Sequence, residues 1–173
     1  MAVNFRRILI PDSMCFELET QLLPEGDLPE DFDPRSPKNL DRIREGVITE
    51  LCGLLDASGE ISNASRLFRD LHNREKRTPT GIGEGVAIPH VRTLQARKFV
   101  MAFARSTAGL PFYAIDGEDA HLFFAMVSPP HDDRTYLRVY KALGSVLLQP
   151  EHSQVFMEAY TPNDIWKTLE IFR

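Results

Sequence analysis

Two apolar runs constrain this chain more than any other feature. Phe99-Val100-Met101-Ala102-Phe103-Ala104 contains no polar residue, and Ala120 to Val127 is apolar at every position but His121. A strand with one wet face alternates apolar and polar residues. A continuous apolar run of this length fits a strand covered on both faces, which needs a layer of helices on each side of a sheet. The rest of the chain supplies those layers. The expected architecture is α/β: a single domain with a central mixed sheet of about five strands and helices on both faces, within the ordinary size of one domain at 173 residues.

The remaining elements follow in order. Residues 1–13 read as an N-terminal tail, with two arginines and too short an apolar segment for a secretory signal. Met14 to Glu19 alternates and reads as a strand. Residues 20–36 hold three prolines, a glycine and five acids between Gln21 and Arg35, and read as a solvated loop. Ser36-Pro37 is a helix start, a capping hydroxyl followed by proline where a missing N–H costs nothing. Leu40, Ile43, Val47, Leu51 and Leu54 recur at helical spacing, with Gly59 past the end. A second helix from Ser62 or Asn63 buries Ala64, Leu67, Phe68 and Leu71 and turns Arg66, Asp70 and His72 to solvent. Gly109 to Gly117 is a turn-rich connection, and His121 reads as a strand-edge residue. After Pro129-Pro130 a helix places Leu137, Tyr140, Leu143 and Leu147 on one apolar face. A helix over 150–160 turns Val155, Phe156 and Ala159 inward and His152 outward. The last helix has Thr161 as cap, Pro162 at its first position and Asp164 in its first turn, with Ile165, Trp166, Leu169 and Phe172 as its buried stripe. Cys15 and Cys52 lie in unrelated contexts and read as inert thiols.

The chemistry concentrates in Thr78-Pro79-Thr80-Gly81-Ile82-Gly83-Glu84-Gly85-Val86-Ala87-Ile88-Pro89-His90-Val91-Arg92. Gly81, Gly83 and Gly85 permit backbone conformations in which N–H groups turn toward an anion. Val86-Ala87-Ile88 reads as a short buried strand that Pro89 ends, delivering His90 at a strand end. Histidine is neutral, basic and nucleophilic near pH 7 without special tuning. A histidine there can also be a satisfied structural imidazole. Arg92, two residues on, shares a face with His90 if extension continues, and arginine favours bidentate recognition of phosphate.

The segment Arg74-Glu75-Lys76-Arg77 through Ala87-Ile88-Pro89-His90 resembles the active-site segment of fructose/mannitol-type enzyme IIA domains of the bacterial phosphotransferase system, including the nitrogen-regulatory branch. The resemblance runs from about Met14 to the C-terminus. It implies that His90 takes a phosphoryl group from an HPr-type carrier protein, with Arg74 in the site. For the charge on the transferred group, Arg92 is a second cationic candidate or an ordinary surface arginine, and Thr80 a hydroxyl donor or a loop cap; with such donors no metal or cofactor is needed. It also marks residues 20–36 as an insertion, since the family connects its first strand and first helix more briefly. Most of the family carries a second histidine, in a His-Leu pair, at the start of the helix after the proline loop. This chain has Tyr136-Leu137 there, with His131 in the loop as a compensating candidate.

The formal charge of −5 and the lack of a basic stripe argue against general nucleic-acid binding. No run approaches the roughly 20 apolar residues of a membrane span, and the expected location is cytoplasmic. The expected function is a stand-alone, nitrogen-regulatory phosphohistidine carrier, with an HPr-type donor and a IIB domain or regulatory protein downstream. Beside it stand a sugar-specific IIA feeding a fructose/mannitol permease, and a binding module that no longer turns over phosphate.

Overall fold

The computed structural model describes residues 3–147 and 149–171. Its centre is strand β5 (Val100–Leu110) paired antiparallel with β6 (Ala120–Ser128), Val100 lying opposite Val127 and Arg105 opposite Leu122. On the outer side of β5, β1 (Met14–Cys15) pairs in parallel. On the outer side of β6, β3 (Val86–Ala87) and β4 (His90–Arg92) lie one after the other, both parallel to it. β2 (Gly81–Gly83) closes that edge antiparallel to β3. The described residues thus form a six-stranded mixed sheet. Pro89 interrupts the β3–β4 edge rather than ending it, and extension resumes at His90.

Both faces are covered, as the apolar runs require. Helices α2 (Pro37–Asp56) and α3 (Ala64–Arg77) lay Ile43, Val47, Leu51, Leu67 and Leu71 against Ala102, Ala104, Phe123 and Ala125. The other face carries α1 (Phe5–Ile8), α4 (Asp133–Leu147), α5 (Pro150–Glu158) and α6 (Pro162–Glu170). There Val139, Leu143, Phe156, Ile165 and Leu169 meet Met101, Phe103, Phe124 and Met126. Successive residues of β5 and β6 point to opposite layers, and burying each large side chain is worth roughly 1.5–3 kcal/mol.

Several local expectations need correction. The N-terminal segment is not a loose tail: Phe5 and Leu9 are buried in the core, Arg6 lies 4.7 Å over the Trp166 ring, and Trp166 Nε1–H donates to the Leu9 carbonyl at 2.9 Å. The first strand stops at Cys15, because beyond it the chain bends to place Glu17 on Thr107 and the Leu18 N–H on the Arg105 carbonyl. The 20–36 segment is exposed but tied down. Asn39 donates to the carbonyls of Leu22 and Pro34, Glu50 accepts from Glu19 and Thr20, and Arg35 forms a bidentate pair with Asp119 at 3.0 Å. Ala64 is exposed, and Val155 is 44% exposed. In α4 the core face is Val139, Leu143, Val146 and Leu147, while Leu137 and Tyr140 lie outside it, 64% and 38% exposed. His152 is buried with Nδ1 2.8 Å from the Val146 carbonyl, and His121 is half-buried against the carbonyls of Ser106 and Thr107. Phe172 lies outside the described residues. The Cys52 thiol is pushed up to about 12 by burial, and Cys15 upward by the same cause.

Candidate active site

His90 opens β4, held to β6 by the Met126 N–H donating to the Pro89 carbonyl at 2.9 Å. Its half-buried imidazole is fixed at both nitrogens. Nδ1 lies 2.6 Å from the Ile88 carbonyl and Nε2 lies 3.1 Å from Nη2 of Arg74. A carbonyl only accepts and a guanidinium only donates, so the proton sits on Nδ1 and the Nε2 lone pair is the nucleophilic one. Burial lowers the His90 pKa, the Ile88 bond opposes that shift, and the Arg74 charge adds to it. The ring is therefore neutral at pH 7.

Arg74 stands in the last turn of α3, where a cation also complements the helix dipole. Its Nη1 donates to the Thr78 carbonyl at 2.8 Å, which aims Nη2 at His90. On the other side of the imidazole lie two phenols. The ring centroids of Tyr136 and Tyr140 are 5.8 and 5.7 Å from that of His90, and the two tyrosines stack at 6.2 Å. One helical turn separates them, so α4 presents both on one face. Burial, then the neighbouring Tyr140, raises the Tyr136 pKa, which keeps its phenol neutral and able to donate.

Arg92 does share the His90 face. Its guanidinium lies 5.8 Å over the Tyr136 ring and forms an exposed ion pair with Asp133. Thr80 does not point at His90: it is buried, and both its N–H and its hydroxyl donate to the Glu75 carboxylate at 2.7 Å. Its carbonyl accepts the Ile88 N–H, so Thr80 supports the site through the backbone.

The glycines lie elsewhere. Gly83 and Gly85 have φ of +89° and +73° and flank Glu84 in the tight turn joining β2 to β3. The Glu84 N–H there donates to Asp116, and an added Cβ at Gly81 would sit 2.7 Å from the Ala114 Cα. Val86 pairs with Leu122 while His90 pairs with Met126, four residues or about 13 Å further along β6. Gly81, Gly83 and Gly85 thus build the far end of the sheet, where the turn N–H meets the chain's own Asp116 carboxylate, away from His90. His131 is exposed and lines a separate cavity with Arg7 and Arg138. His72 stacks on Phe68 at 5.2 Å, away from His90. Two residues that sequence reasoning gave no part in the site enter here, Tyr140, which it assigned to the apolar face of its helix, and Glu75. The i, i+4 spacing from Tyr136 and the adjacency to Arg74 were the available signals.

Among the described residues no cluster of His, Cys, Asp and Glu is arranged to hold a metal ion, and no helix is long and apolar enough to cross a membrane.

Residues 40–171 match the profile of the family described as phosphoenolpyruvate-dependent sugar phosphotransferase system, EIIA 2. The chain is 33% identical over 122 residues to the PTS system fructose-specific EIIABC component of Bacillus subtilis (strain 168), a match covering 70% of this chain and 19% of that protein. It is 30% identical over 126 residues to the PTS system fructose-specific EIIA component of Haloferax volcanii, covering 73% of this chain and 82% of that one. Among solved structures, nitrogen regulatory protein IIA-Ntr from Neisseria meningitidis superposes with a TM-score of 0.73 at 22% identity, over 94% of this chain and 96% of that one.

Proposed function

Because the chain belongs to the EIIA 2 family of the phosphoenolpyruvate-dependent sugar phosphotransferase system, we propose that Nε2 of His90 accepts a phosphoryl group from an HPr-type phosphocarrier and hands it on. The observation that carries this reading is the bracketing of His90, with Nδ1–H on the Ile88 carbonyl and Nε2 facing Arg74. In the transfer, the Nε2 lone pair attacks phosphorus as the donor's phosphorus–nitrogen bond breaks, and that electron pair returns to the donor imidazole. The proton stays on Nδ1. Charge builds on the three equatorial oxygens, where Arg74 shifts from Nε2 onto the phosphoryl group and the Tyr136 phenol donates. No further base is needed, since the attacking nitrogen carries no proton.

Tyr136 bears on the branch. A histidine at that position would bring a charge that titrates near neutral pH, whereas a tyrosine brings a neutral donor. A carrier with one cation fewer suits a phosphorylation state that is read by a partner, as in a nitrogen-type regulatory IIA. The competing reading, transfer to a IIB domain of a fructose-type permease, is favoured by the identities to fructose-specific components. Incubation with phosphoenolpyruvate, enzyme I and HPr, or their nitrogen-branch counterparts, is expected to place acid-labile, base-stable phosphate on His90 and none on His90→Ala. Label on another histidine in that variant refutes the assignment. Rapid discharge of the labelled protein by a fructose-type IIB domain decides for the permease branch.

A further inference from the structure

Glu75 is the only buried acid among the described residues, 1% exposed, and phosphoryl transfer does not use it directly. A carboxylate so placed is costly unless its oxygens are satisfied. One oxygen accepts the Thr80 N–H and the other the Thr80 hydroxyl, both at 2.7 Å. The bonds continue from there: the Thr80 carbonyl accepts the Ile88 N–H at 3.0 Å, and the Ile88 carbonyl faces Nδ1 of His90 at 2.6 Å. On the helix side Glu75 adjoins Arg74, whose guanidinium meets Nε2. The two groups that hold the two nitrogens of His90 come from different elements, α3 and the β2–β3 edge. The Glu75–Thr80 clasp is a direct side-chain tie between those elements.

We infer that Glu75 is a positioning residue for His90: by clamping Thr80 it fixes the span between the Arg74 guanidinium and the Ile88 carbonyl, which keeps the proton on Nδ1 and the lone pair on Nε2. This rests on Nε2 being the phosphoryl acceptor. Glutamine can keep both links, its amide oxygen accepting the Thr80 N–H and its NH2 donating to the Thr80 hydroxyl oxygen, whereas methionine fills the space and removes both. Burial raises the Glu75 pKa, and the bonds from the Thr80 hydroxyl and N–H, then the Arg74 charge, act against that shift.

The test is long-range 15N–1H NMR of the His90 ring in Glu75→Met, with phosphorylation rate and thermal unfolding beside it. The wild-type spectrum is expected to show one tautomer, protonated at Nδ1. In Glu75→Met the ring nitrogens are expected to move toward averaged shifts, and phosphorylation to slow at least tenfold. A folded Glu75→Met protein that keeps the wild-type tautomer and rate overturns the inference, whatever its melting temperature. Should that variant not fold, Thr80→Val removes only the hydroxyl link. It is expected to shift the tautomer partly, with Thr80→Ser restoring it; an unmoved tautomer in Thr80→Val overturns the inference equally. The spectrum requires no phosphoryl donor. A wild-type protein that never takes label therefore refutes the carrier reading, while the spectra still decide the role of Glu75.

Discussion

Replacing Arg74 with alanine separates transfer from folding, because its guanidinium spends one nitrogen on each. Nη1 caps the end of α3 through the Thr78 carbonyl, while Nη2 faces Nε2 of His90. Losing the cap bond costs about 1 kcal/mol, and losing a last-turn cation about 0.3–1 kcal/mol more. A sum near 1.5 kcal/mol lowers the melting temperature by roughly 3–6 °C in a domain of this size. The effect on transfer is larger, since loss of a charge-stabilising donor in such a site typically costs about 10²–10³ in rate. Removing the positive charge 3.1 Å from Nε2 also takes away one cause of the lowered His90 pKa, so that pKa is expected to rise. Rapid-quench phosphorylation, differential scanning calorimetry and an NMR titration of His90 read the three effects. An unchanged rate with a melting temperature lower by more than about 10 °C makes Arg74 a structural residue and refutes the site as drawn. A His90 pKa that falls refutes the electrostatic part alone.

Further predictions concern the phenols, the protons and a buried cation. Tyr136→Phe is expected to slow phosphorylation or shorten the life of phospho-His90 by the worth of one hydrogen bond, about 0.5–1.5 kcal/mol or somewhat more to a charged oxygen. Tyr136→His is expected to raise the transfer rate; if neither change registers while His131→Ala abolishes labelling, the donor is in the loop. Because the His90 pKa is lowered in the folded state, the unfolded chain binds the extra proton first as pH falls. Stability is then expected to drop below about pH 6.5 and level off once the folded pKa is passed. Over the same window phosphorylation should hold until pH reaches that lowered pKa. A rate that halves at pH 6.5 or above contradicts the shift. Arg105 is buried and donates to the carbonyls of Phe16, Phe156, Met157 and Ala159, joining the chain after β1 to the end of α5. Arg105→Met is expected to cost about 3 kcal/mol or more in urea unfolding, from four carbonyls losing a charged donor; a cost under about 1 kcal/mol means that water replaces it.

The sequence by itself determined the layers of this fold and singled out His90 as the candidate nucleophile. A run without polar residues, such as Phe99 to Ala104, can only be satisfied between two apolar layers, and the capping signals at Ser36 and Thr161 are local chemistry that neighbours need not supply. His90 was legible because Pro89 and the short strand before it fix the local backbone. What only the tertiary structure decided are distances between elements. Whether a hydroxyl serves a phosphoryl group or a carboxylate depends on which one lies within 3 Å, and for Thr80 it is Glu75. The glycines carried a local permission for positive φ but no information on what would face them, and their turn faces the Asp116 carboxylate rather than His90. The N-terminal helix was invisible for a related reason. Four helical residues are too few to show a period or to hold a helix alone, and Phe5 and Leu9 become ordered only because α6 offers Trp166 and a second surface to bury them. Helical spacing put Tyr140 on the apolar face of α4, whereas the real core face, Val139, Leu143 and Val146, turns both tyrosines toward His90. Helix rotation is set by the sum of packing contacts on the far side of the sheet, and no single residue of α4 encodes it.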